Sequence, residues 1–406
     1  MYKKLSETQQ NIYTLKLQTV IDSLNKFTTR ETNMPELKPP FRADHVGSLL
    51  RTTELKNARN KHFKDGSISA DELKQIEDKE ITENIKIQEN AGLVAVTDGE
   101  ARRSFWHYDF IGDLIGLDLV ERTEGVQFSS MKLRPIFPTI TNTLDFPSNH
   151  PMLSHYTFVS ENTKMTPKIS IPGPSTCHFR TASSDIHPVK YKDLDLLCTD
   201  ISKTYKKAVQ AFYDVGCRYL QMDDIFFAYL CDPKHRQAKK AEGMDPDDLI
   251  KRYAKMMHDA ILDRPKDMTI AMHLCRGNFR SNHAAEGAYD PAADAVFNMT
   301  GVDVFFMEYD TERAGGLEPL RFLPKGKQRI LPGFITTKTG ELENLDDLKR
   351  QFEKASKFVD IDQLGIAPQC GFSSTEEGND LSIDDQKRKL DLVVKVAESI
   401  WGGVNT

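Results

Sequence analysis

From residue 41 onward, short apolar runs alternate with longer amphipathic stretches. The runs fall at 43–48, 93–98, 168–173, 218–223, 268–273, 302–308, 328–333 and 364–368. Between most of them apolar residues recur at intervals of three and four. That spacing predicts helices over 71–90, 191–214, 246–262, 345–359 and 383–401. Ser69 and Ser382 stand where N-caps belong, each followed by acidic residues in the first turn. Eight strands alternating with helices predict an α/β chain folded as a (β/α)8 TIM barrel. An open doubly wound sheet is the competing architecture, but no Gly-x-Gly-x-x-Gly follows the first run.

Two stretches break this rhythm. Residues 105–167 are rich in aromatics, Pro, Thr and Ser and show no helical period. They read as an insertion between strands 2 and 3 carrying a β-hairpin or a lid, with Trp106, His107, Tyr108 and Phe110 near the barrel mouth or in a small core of its own. Residues 1–40 are polar and helix-capable, with a modest stripe of Leu15, Leu17, Val20, Ile21 and Leu24 that ends at the prolines 35, 39 and 40. They read as an N-terminal helical extension before a catalytic domain at 41–406. Met34 is an alternative start.

Composition narrows the function. Fifty-four basic against 60 acidic side chains give a formal net charge of −6, which favours neither nucleic acid nor a membrane as partner. No apolar run reaches the roughly 18 residues needed to span a bilayer. The extension carries Glu7, Asp22, Glu31 and Glu36 and lacks a secretory apolar core, so a cytoplasmic location is expected. Six cysteines are too few for a disulfide framework in a chain this long.

The candidate chemistry sits where apolar runs stop. His273 and Cys275 end one run at alternate positions, Glu308 ends a second and Cys370 follows a third. Imidazole, thiolate and carboxylate are the ligand types zinc prefers, and a displaceable carboxylate points to a catalytic site. Taken singly, each has a plainer reading: a buried cysteine is usually a small hydrophobe, and a strand-end Glu often serves as an ion-pair partner. Ser48, Glu100 and Asp223 lie at the same ends, the face on which such barrels build active sites.

In that order, these motifs resemble the catalytic barrel of the cobalamin-independent methionine synthase family, over about 41–401. The resemblance implies Zn2+ held by His273, Cys275, Glu308 and Cys370. It implies that Gly47 and Ser48 take the homocysteine carboxylate, and that Glu100 and Asp223 (in Gln221-Met-Asp-Asp) take its ammonium. A Gly-Pro-x-Thr at 173–176 also fits. The expected reaction moves a methyl group onto the homocysteine thiol to give methionine, with Glu308 as the ligand loosened when sulfur binds. About forty residues cannot encode the second barrel of full-length enzymes, so a stand-alone form is expected.

The pattern departs from the family on the donor side. Lys338 stands where the family has a proton-donating His, and Arg180 where it has a pterin-stacking Trp. Lys338 is the candidate catalytic acid, with His107 as an alternative source of the proton. Free methyl-tetrahydrofolate is therefore expected to be a poor donor. A sulfonium, a methylcorrinoid or a folate delivered by a partner protein should serve better. A zinc-dependent transferase acting on another thiol, such as one opening epoxides with coenzyme M, is the alternative function. A cofactor-free uroporphyrinogen decarboxylase would not need the metal set.

Overall fold

The structure is a computed structural model and describes residues 38–405. Nearly all of the expected N-terminal helical extension lies outside the described residues. The strands are β1 (Ala95–Val96), β2 (Ile115–Glu121), β3 (Ile136–Asp145), β4 (Thr166–Pro167), β5 (Ile169–Pro172), β6 (Tyr219–Asp223), β7 (Thr269–Leu274), β8 (Val304–Glu308) and β9 (Arg329–Gly333).

Strands β5 to β9 form one parallel sheet in sequence order. In the middle of that sheet, β6, β7 and β8 are buried save for Thr269, as expected of parallel strands covered on both faces. Beyond β9 the pairing continues through isolated parallel bridges, Ile330 to Leu364 and Ala43 to Ile366. At the other edge β1 pairs with β4, and the Lys168 N–H donates to Val96 O at 2.8 Å. Between residues 43–48 and β1 there is contact in place of a ladder. Leu49 N–H donates to Gly99 O at 3.0 Å, and Thr97 Oγ1 donates to Gly47 O at 2.6 Å. The regular sheet is thus five-stranded, and the runs at 43–48 and 364–368 are held by single bridges and side chains.

A buried ion pair ties distant segments of this arrangement together. Lys168 Nζ lies 2.7 Å from Asp44 Oδ1, and the Tyr219 hydroxyl donates to Asp44 Oδ2 at 2.7 Å. The ammonium also sits over the rings of Tyr219 and Phe306. Removing one partner of such a pair leaves an uncompensated buried charge, which costs on the order of 3–5 kcal/mol.

Helices occupy the predicted stretches: Ala70–Asn90, Leu194–Asp214, Pro246–Ile261, Leu345–Ala355 and Ile383–Trp401. Ser69 and Ser382 close capping boxes with Glu72 and Asp385. Helix Pro246–Ile261 starts with Asp245 as cap and Pro at its first turn. It buries Leu249, Ile250, Tyr253, Met256, Met257, Ala260 and Ile261 on one face. Each fully buried large side chain there contributes roughly 1.5–3 kcal/mol relative to exposure.

Within 105–167, β2 and β3 pair as an antiparallel hairpin. A helix at Pro151–Asn162 follows, capped by His150 and Pro151, which the apolar spacing does not mark. Its N-terminal turn is fixed by aromatic packing, with Phe146 stacked on His150 at 5.1 Å and Phe110 at 4.7 Å from the same ring. No helix among the described residues is long and apolar enough to cross a membrane.

Candidate functional site

The parallel ladder delivers the candidate residues to one end. His273 pairs with Asp223 across β6 and β7, and Glu308 pairs with Gly333 across β8 and β9. Cys275 follows β7 directly. Cys370 is brought in by the 364–368 segment, where Gln369 N–H donates to Ile335 O at 2.8 Å.

His273, Cys275 and Cys370 converge, with their ligand atoms all within 4.8 Å of one another. The two sulfurs are 3.7 Å apart. Zn–S bonds of about 2.3 Å arranged tetrahedrally give an S···S edge of about 3.75 Å. His273 Nε2 lies 3.2 Å from Gln369 O, while its buried Nδ1 has no hydrogen-bond partner. Two soft sulfurs and an imidazole fit zinc, and the sulfur spacing needs no rearrangement.

The electrostatics also favour a cation. The hydrogen bond shared with Cys275 holds the Cys370 thiol well below the ordinary range against the effect of burial, with His273 and Lys338 assisting. The same bond and burial push the Cys275 thiol up. Burial alone would lower the His273 imidazole, but Cys370 and Asp223 outweigh it and hold it up at about 10. These directions leave Cys275 and His273 holding protons that a bound metal ion would have to displace.

Glu308 lies on the same face yet outside that cluster. Its Oε2 accepts from the Arg276 N–H at 2.7 Å, and its Oε1 accepts from Arg313 through Nε at 3.2 Å and through Nη2. Burial would raise its carboxyl, but Lys338, Arg276 and Arg313 together bring it down to about 2. Glu308 is a buried carboxylate docked on arginine.

A narrow cleft opens beside the sulfurs, and Ser48, Glu100, Trp106, Asp223 and Asn278 line it. Glu100 has φ of 58°, a left-handed conformation that costs a non-glycine residue on the order of 1–3 kcal/mol. Its Oε1 accepts from Ser170 Oγ at 2.8 Å and lies 3.6 Å from Arg103, while its buried Oε2 has no partner. Burial, partly offset by Arg103 and reinforced by Asp223, pushes the Glu100 carboxyl up to about 7.

Gln221 Nε2 donates to Asp223 Oδ1 and to Val46 O, each at 2.7 Å, which locks the second carboxylate. Ser48 Oγ accepts from the Ser373 N–H at 3.2 Å. Gly47 has φ of +135°, and a Cβ there would stand 3.9 Å from Glu100 Oε1. The loop therefore brings bare backbone close to the carboxylate.

Lys338 Nζ lies 3.4 Å from Gly277 O, and its charge bears on both thiols. Arg180 lies apart from them, with Nη1 3.1 Å from His107 Nε2 and its guanidinium over the Phe226 ring. His107 is buried and stacked between Trp106 and Tyr108. Burial and Arg180 hold its imidazole well below the usual range, so it is neutral at pH 7 and a poor source of a proton. Arg313, Arg276 and Ser170 are supporting residues that sequence reasoning missed. Arg313 sits five positions after Glu308, but only the turn after β8 reveals that it folds back.

Residues 41–399 match the family described as cobalamin-independent synthase, catalytic domain. The chain is 45% identical over 373 residues to the uncharacterized protein YxjG of Bacillus subtilis, covering 91% of this chain and 97% of that one. It is 22% identical to a 5-methyltetrahydropteroyltriglutamate–homocysteine methyltransferase of Flavobacterium johnsoniae. That match covers 83% of this chain but spans only 40% of the relative's length. Among solved structures, a protein from Listeria monocytogenes described as a vitamin-B12 independent methionine synthase aligns with TM-score 0.72 and 38% identity, over 90% of this chain and 99% of that one. A B12-independent methionine synthase from Shewanella sp. W3-18-1, in complex with selenomethionine, aligns with TM-score 0.62 and 20% identity, over 82% of this chain and 90% of that one.

Proposed function

This chain belongs to the cobalamin-independent methionine synthase family, within its catalytic domain, and on that premise we propose that it is a zinc-dependent methyltransferase that methylates homocysteine. The observation that carries the reading is the convergence of His273, Cys275 and Cys370 beside a cleft that holds two buried carboxylates. We read residues 41–406 as one catalytic unit, a closed eight-stranded barrel with 105–167 inserted in it.

His273, Cys275 and Cys370 would hold the zinc, with Glu308 as the exchangeable fourth ligand. When bound, zinc lowers the pKa of the substrate thiol and presents it as a thiolate at neutral pH. Glu100 and Asp223 bind the ammonium, and the free Oε2 of Glu100 is the acceptor that such a group would satisfy. Ser48 and the backbone at Gly47 take the carboxylate. Together they orient an amino-acid thiol, and they give a simple alkyl thiol nothing to bind.

The bond bookkeeping is that of a displacement. A sulfur electron pair forms the S–CH3 bond, and the methyl group's former bond breaks with its electrons left on the donor. An amine donor must also take up a proton. We assign that proton to Lys338, and a lysine ammonium is in general a much weaker acid than an imidazolium. We therefore propose that free methyl-tetrahydrofolate is a slow donor. Assaying methionine formation by the zinc-loaded chain with homocysteine across several donors tests this. Turnover with at least one activated methyl is expected. No methionine from any donor, with zinc bound, would sink the reading.

A further inference from the structure

Of the four expected ligands, Glu308 alone stands apart from the cluster made by His273, Cys275 and Cys370. Both of its oxygens are engaged by arginines. Oε2 accepts the N–H of Arg276, the residue after Cys275, at 2.7 Å. Oε1 accepts Arg313 Nε at 3.2 Å and also Arg313 Nη2. The two arginines have different roles. The Arg276 guanidinium is spent on main-chain carbonyls, those of Gly287 at 3.0 Å, Glu308 at 3.2 Å and Ala314 at 2.9 Å. It braces the short turn Glu312–Ala314, which carries Arg313. Arg313 is the side chain whose guanidinium meets the carboxylate.

Arg313 has a second carboxylate within reach. Its Nη2 lies 3.3 Å from Asp310 Oδ1, on a side chain that is 1% exposed. Were Glu308 its sole partner, departure of that carboxylate would strand a charge in a largely buried site, a costly state. With Asp310 present, the guanidinium stays paired if Glu308 swings away. Glu308 in turn exchanges one positive partner for another if it moves onto a bound cation. The carboxylate thus has two places to be, and neither leaves a buried charge alone.

We propose that Arg313 is a positioning residue that competes with the metal for Glu308, with Asp310 as the counterion that lets the exchange happen. The inference rests on the methyl-transfer reading above. When homocysteine sulfur takes the fourth ligand position, the released carboxylate docks on Arg313 and is kept from returning. When that position is free, Glu308 leaves Arg313 to Asp310 and moves toward the metal. Arg313 and Asp310 therefore act with opposite sign on how firmly Glu308 holds its place.

The test measures zinc release to a chelator, and homocysteine binding by calorimetry, on the zinc-loaded full chain. Arg313→Gln removes the docking place, so Glu308 stays on the metal. Zinc release should slow several-fold, and homocysteine should bind about tenfold or more weakly, the scale of a lost hydrogen bond to a charged group. Asp310→Asn should act the other way, with faster zinc release and tighter homocysteine binding, because Arg313 then holds Glu308 harder. General loosening of the site would move both variants in the same direction. Arg313→Lys should recover part of the homocysteine affinity, and if Arg313→Gln does not fold, Arg313→Lys and Asp310→Asn must still shift in opposite directions from the parent. In a Glu308→Gln background Arg313→Gln should change neither reading, as expected of two residues coupled through one contact. Zinc release and homocysteine affinity unchanged in Arg313→Gln, or the same sign of change in the Arg313 and Asp310 variants, overturns the inference. If that happens in a parent that holds zinc and binds homocysteine, only this inference fails. A parent that binds neither would instead sink the methyl-transfer reading.

Discussion

The two sides of the cleft are built from different material. On the acceptor side, Asp223 and His273 pair across adjacent parallel strands and Glu308 ends the next strand two residues beyond the partner of His273, while Gln221, Arg276 and Arg313 hold the carboxylates by hydrogen bonds. On the donor side, Trp106 and His107 come from the segment leading into the inserted hairpin, Arg180 from the turn after a four-residue helix, and Lys338 from the loop after β9. Backbone hydrogen bonds on both flanks fix the position of a strand end. A loop side chain is fixed only by its neighbours. On the proposed reading, acceptor chemistry would be set by the sheet, whereas donor choice could change by substitution without disturbing it.

If that division is right, acceptor-side changes should be the more damaging. Asp223→Ala should raise the KM for homocysteine by a factor corresponding to on the order of 2–5 kcal/mol, because it removes a buried charged partner. Zinc content should stay near the parent value. Homocysteine kinetics unchanged in this variant would place the amino-acid pocket elsewhere and break the comparison.

A donor-side exchange should act differently. Lys338→His supplies an acid with a pKa near neutrality, and a positioned general acid contributes about 10²-fold or more. Turnover with methyl-tetrahydrofolate should rise on that scale while the homocysteine KM stays put. A fall in homocysteine affinity instead would show that Lys338 belongs to the metal side.

The smallest effect is a pH dependence. The Glu100 carboxyl is pushed up to about 7, so below pH 7 it is increasingly protonated in the free protein and loses the charge that attracts an ammonium. Homocysteine affinity should fall as pH drops through 7, by up to about tenfold per unit, and Glu100→Gln should flatten the profile. Calorimetric titrations between pH 6 and 8 check the sign. Affinity that rises toward pH 6 would contradict the role of Glu100.

Much of the acceptor side was legible because period-two and period-three-to-four patterns report burial directly. His273, Cys275 and Cys370 are polar residues stranded at the ends of apolar runs, and the structure brings those three together. The docking of Glu308 on Arg313 was not legible, since it depends on how the turn after β8 folds back. Nor was the helix Pro151–Asn162, whose start is fixed by Phe110 and Phe146 packing on His150. The runs at 43–48 and 364–368 read as full strands, but Ala43 and Ile366 meet through a single bridge. Buried side chains such as Lys168 and Asp44 tie that part of the fold to the sheet.

The central claim is that a thiolate site on this chain takes the sulfur of homocysteine while Glu308 yields its place. X-ray absorption at the zinc edge, with and without homocysteine, tests it most directly. The account predicts about one zinc per chain with two sulfur ligands, rising to three sulfurs with loss of the carboxylate oxygen when homocysteine is added. Zinc retained in a Cys275→Ser, Cys370→Ser double variant, or a sulfur shell that homocysteine leaves unchanged, would contradict it.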